Sequence, residues 1–162
     1  TEILKIDNDG IKFGTDTAVK NALNDYEEGT YTPTLSRTSS NITYNYRNGR
    51  YIRVGNLCFV WFDIQTSGNN SSGSGTYKVS LPFTFADNST GSSGMSNAGH
   101  GAPSFRDMSF FTRDQGYKTS SFIQGNEIQL KFINDSNNES NMIENGSNGR
   151  VTGQAWGYLS QA

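Results

Sequence analysis

Between Leu57 and Ile64 the chain alternates with a period of two and is apolar on both sides. Cys58, Val60, Phe62 and Ile64 point one way, and Leu57, Phe59 and Trp61 the other. That period is the mark of a β-strand, and a strand apolar on both faces must have both covered. A chain of 162 residues is the size of one domain with one core. One side of this strand therefore belongs to the core, and the other is assigned to a subunit interface.

The rest of the composition points the same way. Gly, Ser, Thr and Asn make up 71 of the 162 residues, and all four rank low in helix propensity and high in turns or strands. Aromatic residues at 12% give the chain enough to bury for a folded state. Thirteen Lys and Arg against fifteen Asp and Glu leave no basic footprint for nucleic acid. Cys58 is the only cysteine, which excludes an internal disulfide and a cysteine-built zinc site. The longest apolar run, Leu57 to Phe62, is far shorter than the roughly 18 residues of a membrane helix, so no membrane insertion is expected. The chain starts at Thr1 without a methionine or a signal peptide and reads as a segment of a longer protein.

Ile3, Leu4 and Ile6, then Asp7-Asn8-Asp9-Gly10, then Ile11 and Phe13 spell a small hairpin that needs a surface to pack on. Behind it, Val19, Ala22, Leu23 and Tyr26 fall on one stripe of a short helix capped by Asp16 or Thr17. From Tyr31 the pattern is strands. Asn48-Gly49 is read as a type I′ turn ahead of Tyr51–Val54, Gly68 to Gly75 as a polar loop, and Gly125-Asn126 as the turn of the clearest hairpin. Tyr77, Val79 and Leu81 alternate, and so do Val151, Ala155 and Leu159 against Trp156 and Tyr158. Residues 134–149 read as a long Asn- and Ser-rich loop. About eight short strands with regular turn signals predict an all-β fold, an antiparallel, jelly-roll-like β-sandwich with the N-terminal hairpin and one short helix.

The run Asp25-Tyr26-Glu27-Glu28-Gly29-Thr30-Tyr31-Thr32-Pro33 resembles a signature of bacteriophage tail fibre and tailspike proteins, in which Trp is common where Tyr31 stands. Upstream, Asp9-Gly10-Ile11-Lys12-Phe13-Gly14 is similar to the closing neck strand of such fibres. Downstream, Gly49-Arg50-Tyr51-Ile52-Arg53-Val54-Gly55 is similar to the family's G-x-Y-x-x-[IV]-G strand pair. The resemblance implies a neck or trimerisation segment over 1–30 and a receptor-binding domain over 31–162. It also implies a homotrimer in the virion tail, acting outside the cell, joined to the remainder of a fibre N-terminal to Thr1. The partner it implies is a host cell-surface glycan or outer-surface protein. The hairpin, the helix and the doubly apolar strand supply a trimer interface of Ile3, Ile6, Ile11, Phe13, Leu23, Tyr26, Leu57, Phe59 and Trp61.

Little in the sequence speaks for catalysis or a cofactor. Asp25, Glu27 and Glu28 sit between elements, where carboxylates serve as hydrogen-bond acceptors. Asp107 and Asp114 flank a Phe-rich strand without a supporting pattern for glycoside hydrolysis. His100 is the sole histidine, too few for a histidine zinc site, and no G-x-S-x-G elbow accompanies it. The expectation is a non-catalytic adhesin, the alternative a terminal domain of a tailspike depolymerase with its active site upstream. Arg113, Asp114 and Tyr117 combine an aromatic face with charged groups in one turn, and Asn69, Asn70 and His100 lie in polar loops. These six are the sequence's candidates for receptor contact, since a ring covers a sugar's apolar face while polar groups take its hydroxyls.

Overall fold

The structure is a computed structural model that describes residues 4–8, 10–14, 26–38, 41–70, 74–86, 103–111, 118–133, 139–141 and 148–160. Thirteen strands run in chain order among them: β1 (Leu4–Asp7), β2 (Gly10–Phe13), β3 (Tyr26–Tyr31), β4 (Leu35–Thr38), β5 (Asn41–Val54), β6 (Leu57–Asn70) and β7 (Ser74–Ser80). They continue as β8 (Ser104–Asp107), β9 (Lys118–Thr119), β10 (Phe122–Gln124), β11 (Glu127–Ile133), β12 (Glu139–Asn141) and β13 (Gly149–Tyr158). Every pairing is antiparallel, and the described residues hold no helix.

β1 and β2 form the expected hairpin, with Ile6 opposite Ile11 and Leu4 opposite Phe13. Five strands make one sheet in the order β3-β5-β6-β13-β8. The second sheet runs β10-β11-β7-β4, with β9 and β12 also pairing β11. The inward residues of both sheets form one apolar core. Cys58, Val60, Phe62, Ile64, Val151 and Ala155 come from the five-stranded sheet, and Leu35, Tyr77, Val79, Ile123, Ile128 and Leu130 from the other. Phe110 and Phe111 close one side of this core, edge-on to Tyr77 at 5.4 and 5.1 Å.

Four expectations are corrected. Tyr26 opens a strand instead of closing a helix, while residues 15–25, which carry the rest of the helical stripe including Leu23, lie outside the described residues. β3 pairs with β5, so the five-stranded sheet begins at Tyr26. Asn48-Gly49 is not a turn but the middle of a 14-residue strand. The chain reverses at Gly55-Asn56, between paired Val54 and Leu57, with Gly55 at φ +57°. Residues 68–75 are mostly strand, since β6 runs to Asn70 and β7 starts at Ser74. Two strands of 14 residues reach across the molecule, where sequence spacing had suggested only short ones.

Candidate functional site

The outer face of the five-stranded sheet is built in rows set by register. Tyr26, Val54, Leu57 and Tyr158 stand in the first row, and Glu28, Ile52, Phe59 and Trp156 in the second. The third holds Thr30, Arg50, Trp61, Gln154 and Ser104. Alternation places all of them away from the core, and most of the large ones are open to water. Tyr26 is 63% exposed, Tyr158 54%, Trp156 44%, Trp61 41% and Phe59 39%. The face is thus apolar at the end where β3 enters and turns polar at the row of Trp61.

Three concavities meet at Trp61. The largest, about 500 Å³, runs toward Glu28, Thr30, Arg50 and Ile52. A second of about 240 Å³ lies over Arg50, Asp63 and Thr152, and a third of about 340 Å³ lies over Arg106, Gln154 and Thr152. Together they form a shallow groove that crosses the strands from β3 to β8. One indole side chain lies at its centre, with an arginine on either side. Aromatic walls with a few placed polar groups are how proteins hold small and saccharide ligands.

The floor beside Trp61 is fixed by one carboxylate. Asp63 accepts from Arg150 Nε at 2.7 Å and from Arg150 Nη2, from Thr152 Oγ1 at 2.7 Å, and from the Tyr46 hydroxyl at 3.4 Å. The Arg150 hydrogen bonds hold its pKa below the ordinary carboxylate range, against the opposing effect of partial burial. A carboxylate bound this way positions its neighbours and makes a poor proton shuttle. Asp107, once weighed as a catalytic acid, accepts the Ser109 backbone N–H at 2.8 Å and ties the turn after β8.

Residues of the run 25–33 and of β5 pack reciprocally at the edge of this sheet. Gly29 is opposite Tyr51, and Tyr31 is opposite Gly49. A Cβ on Gly49 would lie 2.3 Å from the Tyr31 ring, and one on Gly29 2.7 Å from the Tyr51 hydroxyl. Each tyrosine thus lies over the other strand's glycine, covering backbone that a side chain would otherwise shield. Glu27 accepts a short hydrogen bond from the Tyr51 hydroxyl and stands 4.0 Å from Arg53, while exposed Glu28 accepts from the Tyr26 hydroxyl at 3.0 Å. The Tyr31 hydroxyl is buried without a partner, and burial pushes its pKa well up. Cys58 is buried too, its thiol pushed up to about 11 by burial.

Of the six receptor candidates, Arg113, Asp114, Tyr117 and His100 lie outside the described residues. Asn69 and Asn70 are in β6, at the opposite end of the sheet from Tyr26. Of the interface candidates, Tyr26, Leu57, Phe59 and Trp61 share the outer face, whereas Ile6 and Ile11 belong to the hairpin. The groove and the Asp63–Arg150 clamp were not found by sequence reading. Among the described residues no group of three or more His, Cys, Asp or Glu side chains is placed to hold a metal, and no helix is long and apolar enough to cross a membrane.

No family model and no curated protein sequence matches the chain. Among solved structures it is similar to the crystal structure of the Dettilon tailspike protein, with a TM-score of 0.53 and 16% identity. The similarity covers 80% of this chain and 23% of that one. Two proteins with this little sequence in common share a fold. The chain spans less than a quarter of the length of the tailspike it matches.

Proposed function

We propose that this chain is a receptor-binding, jelly-roll-like β-sandwich domain of a bacteriophage tail protein, a homotrimer that holds a host-surface glycan without cleaving it. The observation that carries the reading is the groove centred on Trp61, in a fold shared with a tailspike protein. The indole stacks on the apolar face of a sugar ring. Arg50 and Arg106, on either side, donate to hydroxyls or carboxylates of the flanking residues, and Gln154 and Thr152 add neutral hydrogen bonds. Asp63, already saturated by Arg150, Thr152 and Tyr46, keeps the floor rigid. Arg113, Asp114 and Tyr117, with His100, Asn69 and Asn70, are proposed as further receptor contacts on the sequence alone. The virion tail and the exterior of the host cell are where such a domain works.

The test is retention on immobilised bacterial surface polysaccharides with chain length read before and after. Retention without shortening, lost in Trp61→Ala, supports the adhesin. Shortening by this chain refutes the non-catalytic reading. A second reading is favoured by the match to only 23% of a tailspike's length: the chain is the terminal, non-catalytic part of a depolymerase whose active site lies upstream. Joining the upstream segment would then confer shortening that the chain alone lacks.

A further inference from the structure

We infer that the groove centred on Trp61 selects acidic polysaccharides, with one oxyanion, carboxylate or phosphate, held by Arg50 and another by Arg106. The inference rests on the receptor reading and names the class of glycan. It starts from the charged groups that the groove has left to offer a ligand. The two carboxylates in its lining already have donors. Asp63 accepts from both nitrogens of Arg150, from Thr152 Oγ1 and from the Tyr46 hydroxyl. Glu28, at the β3 margin, accepts from the Tyr26 hydroxyl. The two arginines are in the opposite condition. Several cations elsewhere have partners: Arg150 has Asp63, Lys78 has Glu127 at 2.7 Å, and Arg47 lies over the Tyr44 ring at 4.4 Å. Arg50 and Arg106 are exposed, line the groove, and make no side-chain hydrogen bond or ion pair among the described residues.

A guanidinium donates only, carries a full charge, and matches a carboxylate or phosphate with two parallel bonds from its planar fork. A sugar hydroxyl is itself a donor and needs acceptors in return, and the charged acceptors here are occupied. The neutral groups Gln154 and Thr30 both give and accept, which suits the hydroxyls of a ring lying between the arginines. Placement sets the spacing of the charges. Arg50 on β5 is the cross-strand partner of Trp61, and Arg106 is on β8, at the other edge of the sheet. β5 and β8 are separated by three strand spacings, about 14 Å, which no single sugar ring spans. The charges therefore belong on the residues that flank the one stacked on the indole. An acidic sugar recurring along a polymer supplies both. The whole chain carries a net charge of −2, so the attraction is local to the groove and not a general affinity for polyanions.

The experiment is titration of the whole chain with bacterial polysaccharides that contain uronic acids, each beside its carboxyl-reduced, neutral form. A glycerol-phosphate teichoic acid is included for the phosphate. An acidic polymer is expected to bind about tenfold more tightly than its reduced form, a comparison that needs no variant. Its affinity should fall as salt rises from about 0.01 to 0.15 M, where the Debye length shortens from about 30 to 8 Å. Arg50→Gln and Arg106→Gln should each lower that affinity about five- to tenfold. Glu28→Gln removes the opposing charge and should raise it about twofold. Lys78→Gln removes a cation on the other sheet and should leave it unchanged. Tm, read in the same samples, should stay within a few degrees at these surface positions. Equal binding of the acidic and reduced forms, weakened in Trp61→Ala, overturns the acidic preference and leaves the receptor reading standing. Acidic binding that ignores both arginine substitutions, or that responds as much to Lys78→Gln, overturns it too. Binding of none of these polymers defeats the receptor reading and this inference with it.

Discussion

Replacing Gly49 with alanine should be far more damaging than the addition of one methyl group suggests. The new Cβ would stand 2.3 Å from Tyr31 Cε1, 2.5 Å from Cδ1 and 2.8 Å from Cζ. Ordinary carbon contacts begin near 3.5 Å, so the ring must retreat by about 1 Å, and a gap of that size forfeits a quarter to a half of each contact it leaves. Burying most of a tyrosine ring is worth roughly 2–3 kcal/mol, so the lost part is about 0.5–1.5 kcal/mol. Overpacking strain adds to this, giving about 2–4 kcal/mol in all. For a chain of this size that is a fall of about 5–15 °C in Tm. The assay is thermal and urea unfolding followed by dichroism at fixed protomer concentration, since assembly shifts apparent stability. The sign should reverse once the ring is gone. In a Tyr31→Ala background, Gly49→Ala costs nothing or stabilises by about 0.5–1 kcal/mol, because alanine is the better strand residue where nothing opposes its Cβ. Equal effects in both backgrounds would refute the idea that the glycine exists to seat the tyrosine.

Three more outcomes are expected. Tyr31→Phe removes a buried hydroxyl that has no partner, so it should leave stability unchanged or raise it by about 1 kcal/mol in urea unfolding, with a clear loss contradicting the burial. Asp63→Asn should lower Tm by a few degrees at neutral pH, a small effect because Asp63 and Arg150 are both partly exposed. Its folded pKa is depressed, so the contribution is present above the unfolded carboxylate value near 3.9 and lost as pH falls through the folded one. The Tm gap between parent and variant should therefore close in that acid window, and a gap that is unchanged there rules the mechanism out. Cys58, buried with its pKa pushed up to about 11, should resist a chromogenic disulfide reagent until the protein unfolds; prompt reaction at neutral pH would show that the strand opens.

What the sequence disclosed was whatever lies within a few residues. The alternation at 57–64 and at 151–159 sorted inward from outward side chains correctly, because the side-chain period of a strand is fixed by geometry. Gly125-Asn126 was legible as a turn for the same local reason. Asn48-Gly49 was misread because two different demands select glycine. One is a left-handed turn, met here at Gly55, and the other is close approach of a ring, met at Gly49. Only the pairing of β3 with β5 distinguishes them. The reciprocal seating of Tyr31 and Tyr51 on opposite glycines could not be read from the run 25–33 alone, because it depends on that pairing. The site was the least legible part. Asp63 and Arg150 are 87 residues apart in sequence, and the groove draws on strands from both ends of the chain. Trp61 was seen as an outward aromatic, but its polar neighbours come from register that no local pattern encodes.

The receptor reading is tested most directly by titrating the labelled chain against a panel of bacterial surface polysaccharides, with Trp61→Ala and Arg50→Ala alongside. The account predicts that at least one polysaccharide is bound and not shortened. It also predicts that Trp61→Ala abolishes the binding without lowering Tm by more than a few degrees, and that Arg50→Ala weakens it. Shortening of the bound chain, or undiminished binding by Trp61→Ala, would contradict it.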